Sequence, residues 1–340
     1  MPELPEVETI KLGLERKIIG LKIKSVEVLE PKSFICEGLG PFDCAQGLRG
    51  KNILKVWRRA KVLGINLDSL RLAAPLARSS TQASCGFASD TLASGSSKTH
   101  SLGDRLPPLT ILFHLKMSGQ LILVQKKDRF VGGHPTHDMA SQMPIKSTRV
   151  IFEFSDPLRP RSEASGSELY FNDQRKFGWI KVVNTADLDK LNYGMQKAFG
   201  PEPLEPGFTC QKLSDNLKKK QKSNIKQALL DQTVVAGLGN IYVSEALFLA
   251  KIDPRRKVSS LSDSDYTRLF RSIKEALRSG ILHGGSSRTH FVNEAGKKGY
   301  FLDFAYVYGR EDQLCKVCST KIAKIRLGGR GTTFCPKCQK

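Results

Sequence analysis

The sequence lacks any long apolar run, any internal repeat and any recognisable leader. A membrane helix needs about 18 consecutive apolar residues, and no such stretch occurs among the 340 residues, so a helical membrane protein is excluded. No segment recurs at a fixed spacing, which excludes solenoids and propellers. The opening segment 1–6 is acidic and rich in proline, whereas a signal peptide begins with basic and then apolar residues. We therefore expect a protein of the cytoplasm with reduced thiols.

Acidic residues are scarce relative to basic ones. The chain has 54 Lys and Arg against 33 Asp and Glu, a formal net charge of +21. An excess of this size favours a polyanionic partner, because binding neutralises phosphates and releases counterions. Nucleic acid is the first candidate, ahead of an anionic membrane surface or a ribosomal partner.

Four of the eight cysteines form a metal-binding pattern near the end of the chain. Each pair is separated by two residues, and 16 residues separate the pairs. This spacing predicts one tetrahedral Zn²⁺ site, held by Cys315, Cys318, Cys335 and Cys338. Four thiolates leave no open position, so the zinc is expected to be structural. The alternative is two disulfides or unrelated thiols.

Basic residues accompany this cysteine cluster. Residues 306–340 carry eight Lys or Arg and two acidic residues, with Arg326 and Arg330 between the knuckles. The pattern favours contact with phosphates, and a solvated basic face is the alternative.

The first half of the chain predicts many short strands. Strand-like runs lie at 23–29, 53–57, 62–67, 109–115, 120–124, 149–154 and 179–183. Turn residues separate them, which favours a sandwich or a barrel. Residues 71–107 break the pattern, since 20 of these 37 residues are Ala, Ser, Gly or Thr, and we interpret them as a flexible insertion.

The second half predicts helices at 209–220, 224–231, 240–250 and 262–282. The third of these follows Gly237-Leu238-Gly239, where a flexible backbone could bring a phosphate to the free N–H groups of a helix start, with Asn240 adding a donor. A glycine-containing turn joining two helices is the alternative.

Pro2 could supply an unusual nucleophile. If the initiator Met is removed, Pro2 has a free secondary amine, which attacks an anomeric carbon and forms an iminium Schiff base. Glu3 or Glu6 could then serve as the general acid, although nearby carboxylates also favour the protonated amine. The alternative is a helix start with proline and acidic residues in its first turn.

Four further positions are candidates for DNA contact. Lys61, on a basic turn between two strands, could bind a phosphate or assist elimination. Met117 and Phe177 could insert between bases, with Arg175 beside Phe177. The alternatives are a solvated lysine and ordinary core packing.

Taken together, these blocks resemble the formamidopyrimidine-DNA glycosylase (Fpg) family. The blocks that match in order are MPELPEVET at 1–9, RRAK at 58–61, HLKMSG at 114–119, D-x-R-x-FG at 173–178, GLGNIY at 237–242, the GGSS loop at 284–287 and the four-cysteine finger. Lys116 departs from the pattern, because a small residue is common beside the methionine wedge. The segments at 71–107, 129–147 and 155–167 are longer than the family pattern.

The resemblance implies an α+β multidomain fold with DNA lying in the cleft between domains. It implies an N-terminal catalytic β-sandwich with flanking helices at 1–186, a linker at 187–207, a helix-two-turns-helix domain with a lesion-capping loop at 208–300, and a β-hairpin zinc finger at 301–340. The protein is then expected to be monomeric, bacterial and associated with the nucleoid through duplex DNA that contains oxidised bases.

The resemblance also implies a reaction and its residues. The expected reaction is base excision of 8-oxoguanine and formamidopyrimidines, followed by β- and δ-elimination at the abasic site. The implied catalytic residues are Pro2, Glu3, Lys61 and Arg330, and the implied DNA contacts are Met117, Arg175, Phe177, Asn240 and Arg326. Two alternatives are an endonuclease VIII-like enzyme for oxidised pyrimidines and a lesion-binding protein without catalysis.

Overall fold

The computed structural model describes residues 2–69, 107–126, 128–134, 141–157, 166–195, 197–285 and 301–340. The expected lesion-capping loop at 286–300, all but the last residue of the expected insertion at 71–107, and Met1 lie outside these residues. Across the described ranges, no helix has both the length and the apolarity needed to cross a bilayer.

The N-terminal half forms two five-stranded sheets. The first has the strand order β1-β8-β9-β6-β7 and is antiparallel throughout. The second has the order β2-β10-β5-β4-β3, in which only the short edge strand β2 runs parallel to its neighbour. The bounds are β1 Lys22–Val28, β2 Phe34–Cys36, β3 Ile53–Arg59, β4 Val62–Leu67, β5 Leu109–His114, β6 Gly119–Gln125, β7 Asp128–Gly133, β8 Thr148–Ser155, β9 Ser167–Asp173 and β10 Trp179–Asn184.

The two sheets pack face to face around one apolar core. Burial alternates along the whole of β8, so every second side chain faces inward, as a half-buried strand requires. Phe113 on β5 meets Phe152 on β8 and Phe171 on β9, with ring centroids 5.8 Å and 6.4 Å apart. These contacts join the sheets, and they confirm the expected β-sandwich.

Helix α1 (Leu4–Ile18) covers the edge of the sandwich and packs against β3, β7 and a helix of the second domain. The short helix α2 (Pro41–Gly47) packs against β1 and β2. Neither α2 nor β2 is predicted by the sequence, because each is too short for its periodicity to be recognised. The start of the segment 129–147, which is longer than the family pattern, lies in β7, paired along its length with β6.

Cys36 and Cys44 form a disulfide between β2 and α2. The expectation of reduced thiols is therefore wrong for this pair. The eight-residue separation is spanned by the turn into α2, which brings the two Cα atoms to 6.4 Å. Cys210 remains a free thiol.

The second domain is helical and has its own core. Its elements are α3 Cys210–Lys218, α4 Ile225–Leu230, α5 Asn240–Leu249, α6 Asp263–Leu282 and the short α7 Phe301–Phe304. Helix α6 begins where the sequence predicts, because the Ser262 hydroxyl accepts from the Asp265 N–H and the Asp265 carboxylate accepts from the Ser262 N–H. Leu4, at the start of α1, is fully buried in this helical core rather than in the sandwich.

The C-terminal hairpin consists of β11 (Ala323–Leu327) paired with β12 (Arg330–Phe334). Its small core joins Val307, Ile322 and the buried cysteines to Phe248 of α5. The hairpin is thus attached to the helical domain, and the expected zinc-finger fold is confirmed.

Candidate active site

A cavity of about 380 Å³ lies where the sandwich, the helical domain and the finger meet. Its size falls within the range of about 300–1,000 Å³ that is typical of small-molecule sites. The residues that line it come from all three parts: Glu3, Lys61, His114, Lys116, Met117, Met195, Phe199, Leu230, Gln232, Leu238, Gly239, Asn240, Ile241, Tyr308 and Arg330. Five of the predicted site residues therefore meet at one place: Glu3, Lys61, Met117, Asn240 and Arg330.

Glu3 caps a helix of the other domain. Its carboxylate accepts hydrogen bonds from the backbone N–H groups of Ile241, at 3.1 Å, and Tyr242, at 3.4 Å, in the first turn of α5. The partial positive charge of a helix start stabilises a carboxylate there. Gly239 is required for this approach, because a Cβ at that position would lie 2.1 Å from Cδ of Glu3.

The α5 start is thus not an open phosphate site. The structure gives two of its N–H groups to Glu3, which differs from the sequence interpretation that these groups receive a phosphate. Asn240 is also engaged, since its Nδ2 donates to the Gly331 carbonyl of the finger at 3.1 Å. Sequence spacing could not reveal this, because Glu3 lies 238 residues before Ile241.

Glu3 and Lys61 form a buried pair whose protonation is set by burial. Burial raises the pKa of Glu3 to about 7, opposed by the nearby Lys61 cation. Burial also lowers the pKa of Lys61, opposed by Glu3 and Glu6. The Lys61 ammonium donates to the Leu238 carbonyl at 2.8 Å, which fixes it beside the α5 start. A carboxyl group with a pKa near 7 can donate a proton at neutral pH.

Pro2 is buried and directly precedes Glu3. The backbone N–H of Glu3 donates to Glu6 Oε2 at 2.7 Å, and Glu6 Oε1 accepts from the Tyr242 hydroxyl at 2.8 Å. Leu4 N donates to the Gly237 carbonyl at 3.1 Å. The backbone on the C-terminal side of Pro2 is therefore held by the helical domain.

The turn that carries Lys61 is fixed to the linker between the domains. Glu202, 8% exposed, accepts from the Ala60 N–H and forms ion pairs with Arg58, at 2.9 Å, and Arg59, at 3.0 Å. Arg58 also binds Glu8 of α1 at 2.7 Å. Ala60 has a positive φ of 53°, which disfavours a residue with a side chain and has to be held by such contacts. Glu202 was not among the predicted residues, although the Pro-Glu-Pro segment that contains it is visible in the linker.

The wedge residues lie on two loops joined by one buried carboxylate. Met117 and Phe177 are 41% and 54% exposed, and the Arg175 guanidinium lies 5.0 Å from the Phe177 ring centroid. Asp173 is fully buried and accepts from the Gly178 N–H at 2.6 Å, the Arg175 N–H at 3.2 Å and the Ser118 hydroxyl. Large apolar side chains left exposed on braced loops are suited to insertion into a partner. They are not core residues, which was the alternative interpretation.

His114 is a neutral donor in the cavity wall. Burial, with Lys116 and Lys61 nearby, lowers its pKa to about 3. Its Nδ1 accepts from the Lys116 N–H at 3.0 Å, so the ring proton resides on Nε2. His114 was not among the predicted site residues, although it lies in the same block as Met117.

The finger is anchored by two buried groups on the helical domain. Glu245 accepts from the backbone N–H groups of Tyr306, Val307 and Tyr308, at 2.7–3.0 Å, which places Tyr308 at the cavity. The buried Lys226 ammonium donates to the Thr332 hydroxyl at 2.9 Å, two residues beyond Arg330. Arg326 is exposed on β11 and does not line the cavity.

The four finger cysteines fit one zinc ion. Their sulfur atoms all lie within 4.8 Å of one another, with Cys315 and Cys338 at 3.9 Å and Cys318 and Cys335 at 3.4 Å. Zn–S bonds of about 2.3 Å in a tetrahedron separate the sulfurs by about 3.8 Å, so the set requires little rearrangement. The predicted metal site is confirmed as a site suited to one structural zinc.

Family models match most of the chain. The Formamidopyrimidine-DNA glycosylase N-terminal domain matches residues 1–180, its H2TH domain matches 199–292, and the zinc finger found in FPG and IleRS matches 312–340.

Curated relatives and solved structures match over full length. The Formamidopyrimidine-DNA glycosylase of Pelotomaculum thermopropionicum is 37% identical and that of Listeria innocua 34%, each over 100% of this chain and at least 99% of the relative. A Lactococcus lactis Fpg mutant in complex with Fapy-dG containing DNA has a TM-score of 0.73 at 30% identity, covering both chains completely. The wild-type Lactococcus lactis enzyme, with a TM-score of 0.72 at 30% identity and complete coverage of both chains, was solved with DNA containing an oxidised pyrimidine.

Proposed function

Because the chain belongs to the formamidopyrimidine-DNA glycosylase family, whose members are glycosylases and AP lyases, we propose that it excises oxidised purines from duplex DNA. The proposed lesions are 8-oxoguanine and formamidopyrimidines. The observation that carries the proposal is the buried pair of Glu3 and Lys61, in a cavity shared by three parts of the fold. Glu3 directly follows Pro2 in the chain. A protein that only binds DNA has no need of a proton donor with a pKa near 7 beside an N-terminal proline.

The first proposed step is displacement of the damaged base. After removal of Met1, the Pro2 nitrogen attacks C1′ of the lesion, and the bond from C1′ to the base breaks, with its electron pair leaving on the base. Glu3, protonated near neutral pH, donates a proton to the ring oxygen of the sugar as the ring opens. The proton that the Pro2 nitrogen carries passes to the displaced base, and the nitrogen lone pair forms an iminium with C1′. Because Glu3 is half neutral near pH 7, it holds the amine in its protonated form less strongly than a full carboxylate would.

The second proposed step is strand cleavage by β- and δ-elimination. The iminium acidifies the C2′ hydrogens; loss of one expels the 3′ phosphate, and loss of a C4′ hydrogen then expels the 5′ phosphate. A one-nucleotide gap remains, and water releases Pro2 from the sugar fragment. Lys61, fixed beside Glu3, is proposed to neutralise a phosphate that flanks the lesion and to assist the elimination.

DNA is proposed to lie across the cavity with the damaged nucleotide flipped into it, because C1′ is inaccessible inside the stacked duplex. Met117, Arg175 and Phe177 would fill the gap and contact the orphan base. Arg330 and Asn240 would contact the flanking phosphates, and Arg326 a phosphate further out on the finger. We propose that the protein acts as a monomer.

The zinc ion supplies no chemistry in this proposal. Bound to its four thiolates, zinc stabilises the hairpin that presents Arg330 at the cavity.

Borohydride trapping tests the proposal. The protein is incubated with a duplex carrying one 8-oxoguanine opposite cytosine, reduced, and digested to map the covalent link. Mass spectrometry of the intact protein first establishes that Met1 is absent. We expect a crosslink at Pro2, and a greatly weakened one with Pro2→Gly at matched zinc content.

Two other outcomes would revise the assignment. A crosslink that forms only with an oxidised pyrimidine would favour the endonuclease VIII-like alternative. The relative from Lactococcus lactis was also solved with DNA containing an oxidised pyrimidine. Binding with no crosslink on either lesion would leave a lesion-binding protein without catalysis.

A further inference from the structure

A second groove opens from the active-site cavity along the sandwich and the linker. It has a volume of about 530 Å³ and shares Lys116, Met195, Phe199 and Gln232 with the active-site cavity. Because the two hollows share these walls, they form one continuous depression. We call the second part the side groove. It shares Lys116 and Phe199 with the cavity, and Trp179, Lys181 and Lys197 line the side groove but not the cavity.

The lysines of the side groove form no ion pair with a described carboxylate. Within the described ranges, no carboxylate lies within ion-pair distance of Lys116, Lys181 or Lys197, and the Lys181 ammonium donates only to the Gly194 carbonyl, at 2.7 Å. Some lysines elsewhere on the surface do form ion pairs, as with Lys24 and Glu153, Lys176 and Glu30, and Lys324 and Glu311. The side groove instead places three lysines together without an ion-paired carboxylate.

The carboxylates near the side groove do not neutralise it. Asp231, in its wall, is already bound by Lys220 at 2.8 Å and by Thr233. Glu37 lies further along, in a neighbouring hollow that also contains Lys181. The groove therefore has a net positive charge.

Trp179 connects the side groove to the cavity wall. Its ring lies 5.5 Å from His114 and carries the Lys181 ammonium 4.7 Å from its centroid. Burial and the nearby Lys116 lower the pKa of Lys181, opposed by Glu37. Two cations held near each other with no carboxylate in ion-pair contact favour an anion between or beside them.

We propose that the side groove binds the phosphate backbone of a DNA strand where that strand leaves the active-site cavity. This inference rests on the proposed function. A strand carries a phosphate at every nucleotide, so a row of lysines continuous with the cavity matches a strand that continues past the flipped nucleotide. The proposal adds Lys116, Lys181 and Lys197 to the DNA-binding surface and predicts a footprint that is longer on one side of the lesion.

The test is DNA binding by the double variant Lys181→Gln/Lys197→Gln, measured as a function of salt concentration. The probe is a duplex with a stable abasic-site analogue and long arms on both sides. The matched control is Lys274→Gln/Arg278→Gln on α6, which removes the same charge from residues that line a separate hollow. Zinc content and thermal unfolding establish that each variant is folded.

We expect the slope of log affinity against log salt to become shallower by about 1.8 in the double variant, since each phosphate contact contributes about 0.9. The control should keep the slope of the wild type. The difference between wild type and double variant should disappear when one arm of the duplex is cut to a few base pairs, and persist when only the other arm is cut.

An unchanged slope in the double variant, a control that changes equally, or an effect that survives cutting either arm would each overturn the side-groove proposal. Borohydride trapping of the wild type on 8-oxoguanine separates the two proposals. If trapping succeeds and the slope is unchanged, the side-groove proposal alone fails. If the wild type neither binds nor traps, both proposals fail.

Discussion

Glu3→Gln should make the protein more stable at neutral pH and should remove a pH dependence that the wild type shows. Burial raises the pKa of Glu3 from 4.5 to about 7. Below about pH 4.5 the carboxyl is protonated in both the folded and the unfolded chain, so it contributes no pH dependence. Between these values the unfolded chain releases the proton and the folded protein retains it, so stability falls as the pH rises. Above about pH 7 the full cost is present.

The size of the effect follows from the shift in pKa. One pKa unit corresponds to about 1.4 kcal/mol, so the shift from 4.5 to about 7 corresponds to roughly 3 kcal/mol. Relative to Glu3→Gln, the free energy of unfolding of the wild type should fall by about that amount between roughly pH 4.5 and pH 8. The glutamine oxygen can still accept from the Ile241 N–H, so the variant keeps the cap on α5.

Urea unfolding of the zinc-loaded protein across this pH range measures the difference. Glu27→Gln, an exposed change of the same chemistry on β1, is the control and should follow the wild type. Single-turnover excision gives a second readout, because proton donation by Glu3 should decline as the pH rises through about 7. Two results would refute the assignment of a buried acid. One is a stability difference between wild type and Glu3→Gln that does not change with pH, and the other is a decline in wild-type excision centred near pH 4.5 instead of about 7.

Three other changes test the surrounding geometry. Gly239→Ala should displace Glu3, because its Cβ would lie 2.1 Å from Cδ of Glu3. Excision should fall by about 100-fold or more, on the order of the contribution of one general acid. Binding to an abasic-site duplex should change far less, and equal losses in both would contradict this. Glu202→Gln should weaken the ion pair with Arg58 and destabilise the protein by about 3 kcal/mol, as expected when one partner of a buried ion pair is removed. Denaturant unfolding measures this change. A loss under about 1 kcal/mol would show that the contact between Glu202 and the Lys61 turn is dispensable. Cys335→Ser, or chelation of zinc, should abolish lesion binding while the sandwich stays folded. Filter binding measures the first effect and circular dichroism the second. Retained lesion binding would contradict the structural role of the finger.

The fold was predictable wherever a local pattern repeats. The strand period of two is regular in β8, and the serine cap locates the start of α6. The cysteine spacing alone predicted the zinc site, because two-residue gaps restrict which atoms can meet. Short elements such as α2 and β2 were not predicted, because three residues of strand or two turns of helix do not establish a period.

The sequence predicted the residues of the site, but it did not predict the contacts between them. The Glu3 interaction with α5 joins residues 238 positions apart, and the Glu202 contact with Ala60 spans 142. No local pattern encodes such pairings. Asp173 illustrates the same limit, because it stands in the recognised block at 173–178, yet its function as a brace for two loops depends on its burial beneath them.

The contacts of Leu4 show that the helical domain helps to position the proposed nucleophile. Pro2 belongs to the sandwich domain by sequence, but Leu4 is buried in the helical core and its N–H donates to Gly237. Gly237 has a φ of +83°, and a Cβ there would lie 2.6 Å from the Leu4 side chain, so glycine is needed on both grounds. The proposed nucleophile and Glu3 are therefore held in part by the helical domain, whereas Lys61 lies on the sandwich and donates to the Leu238 carbonyl of the helical domain. Both domains are thus needed to bring Glu3 and Lys61 together.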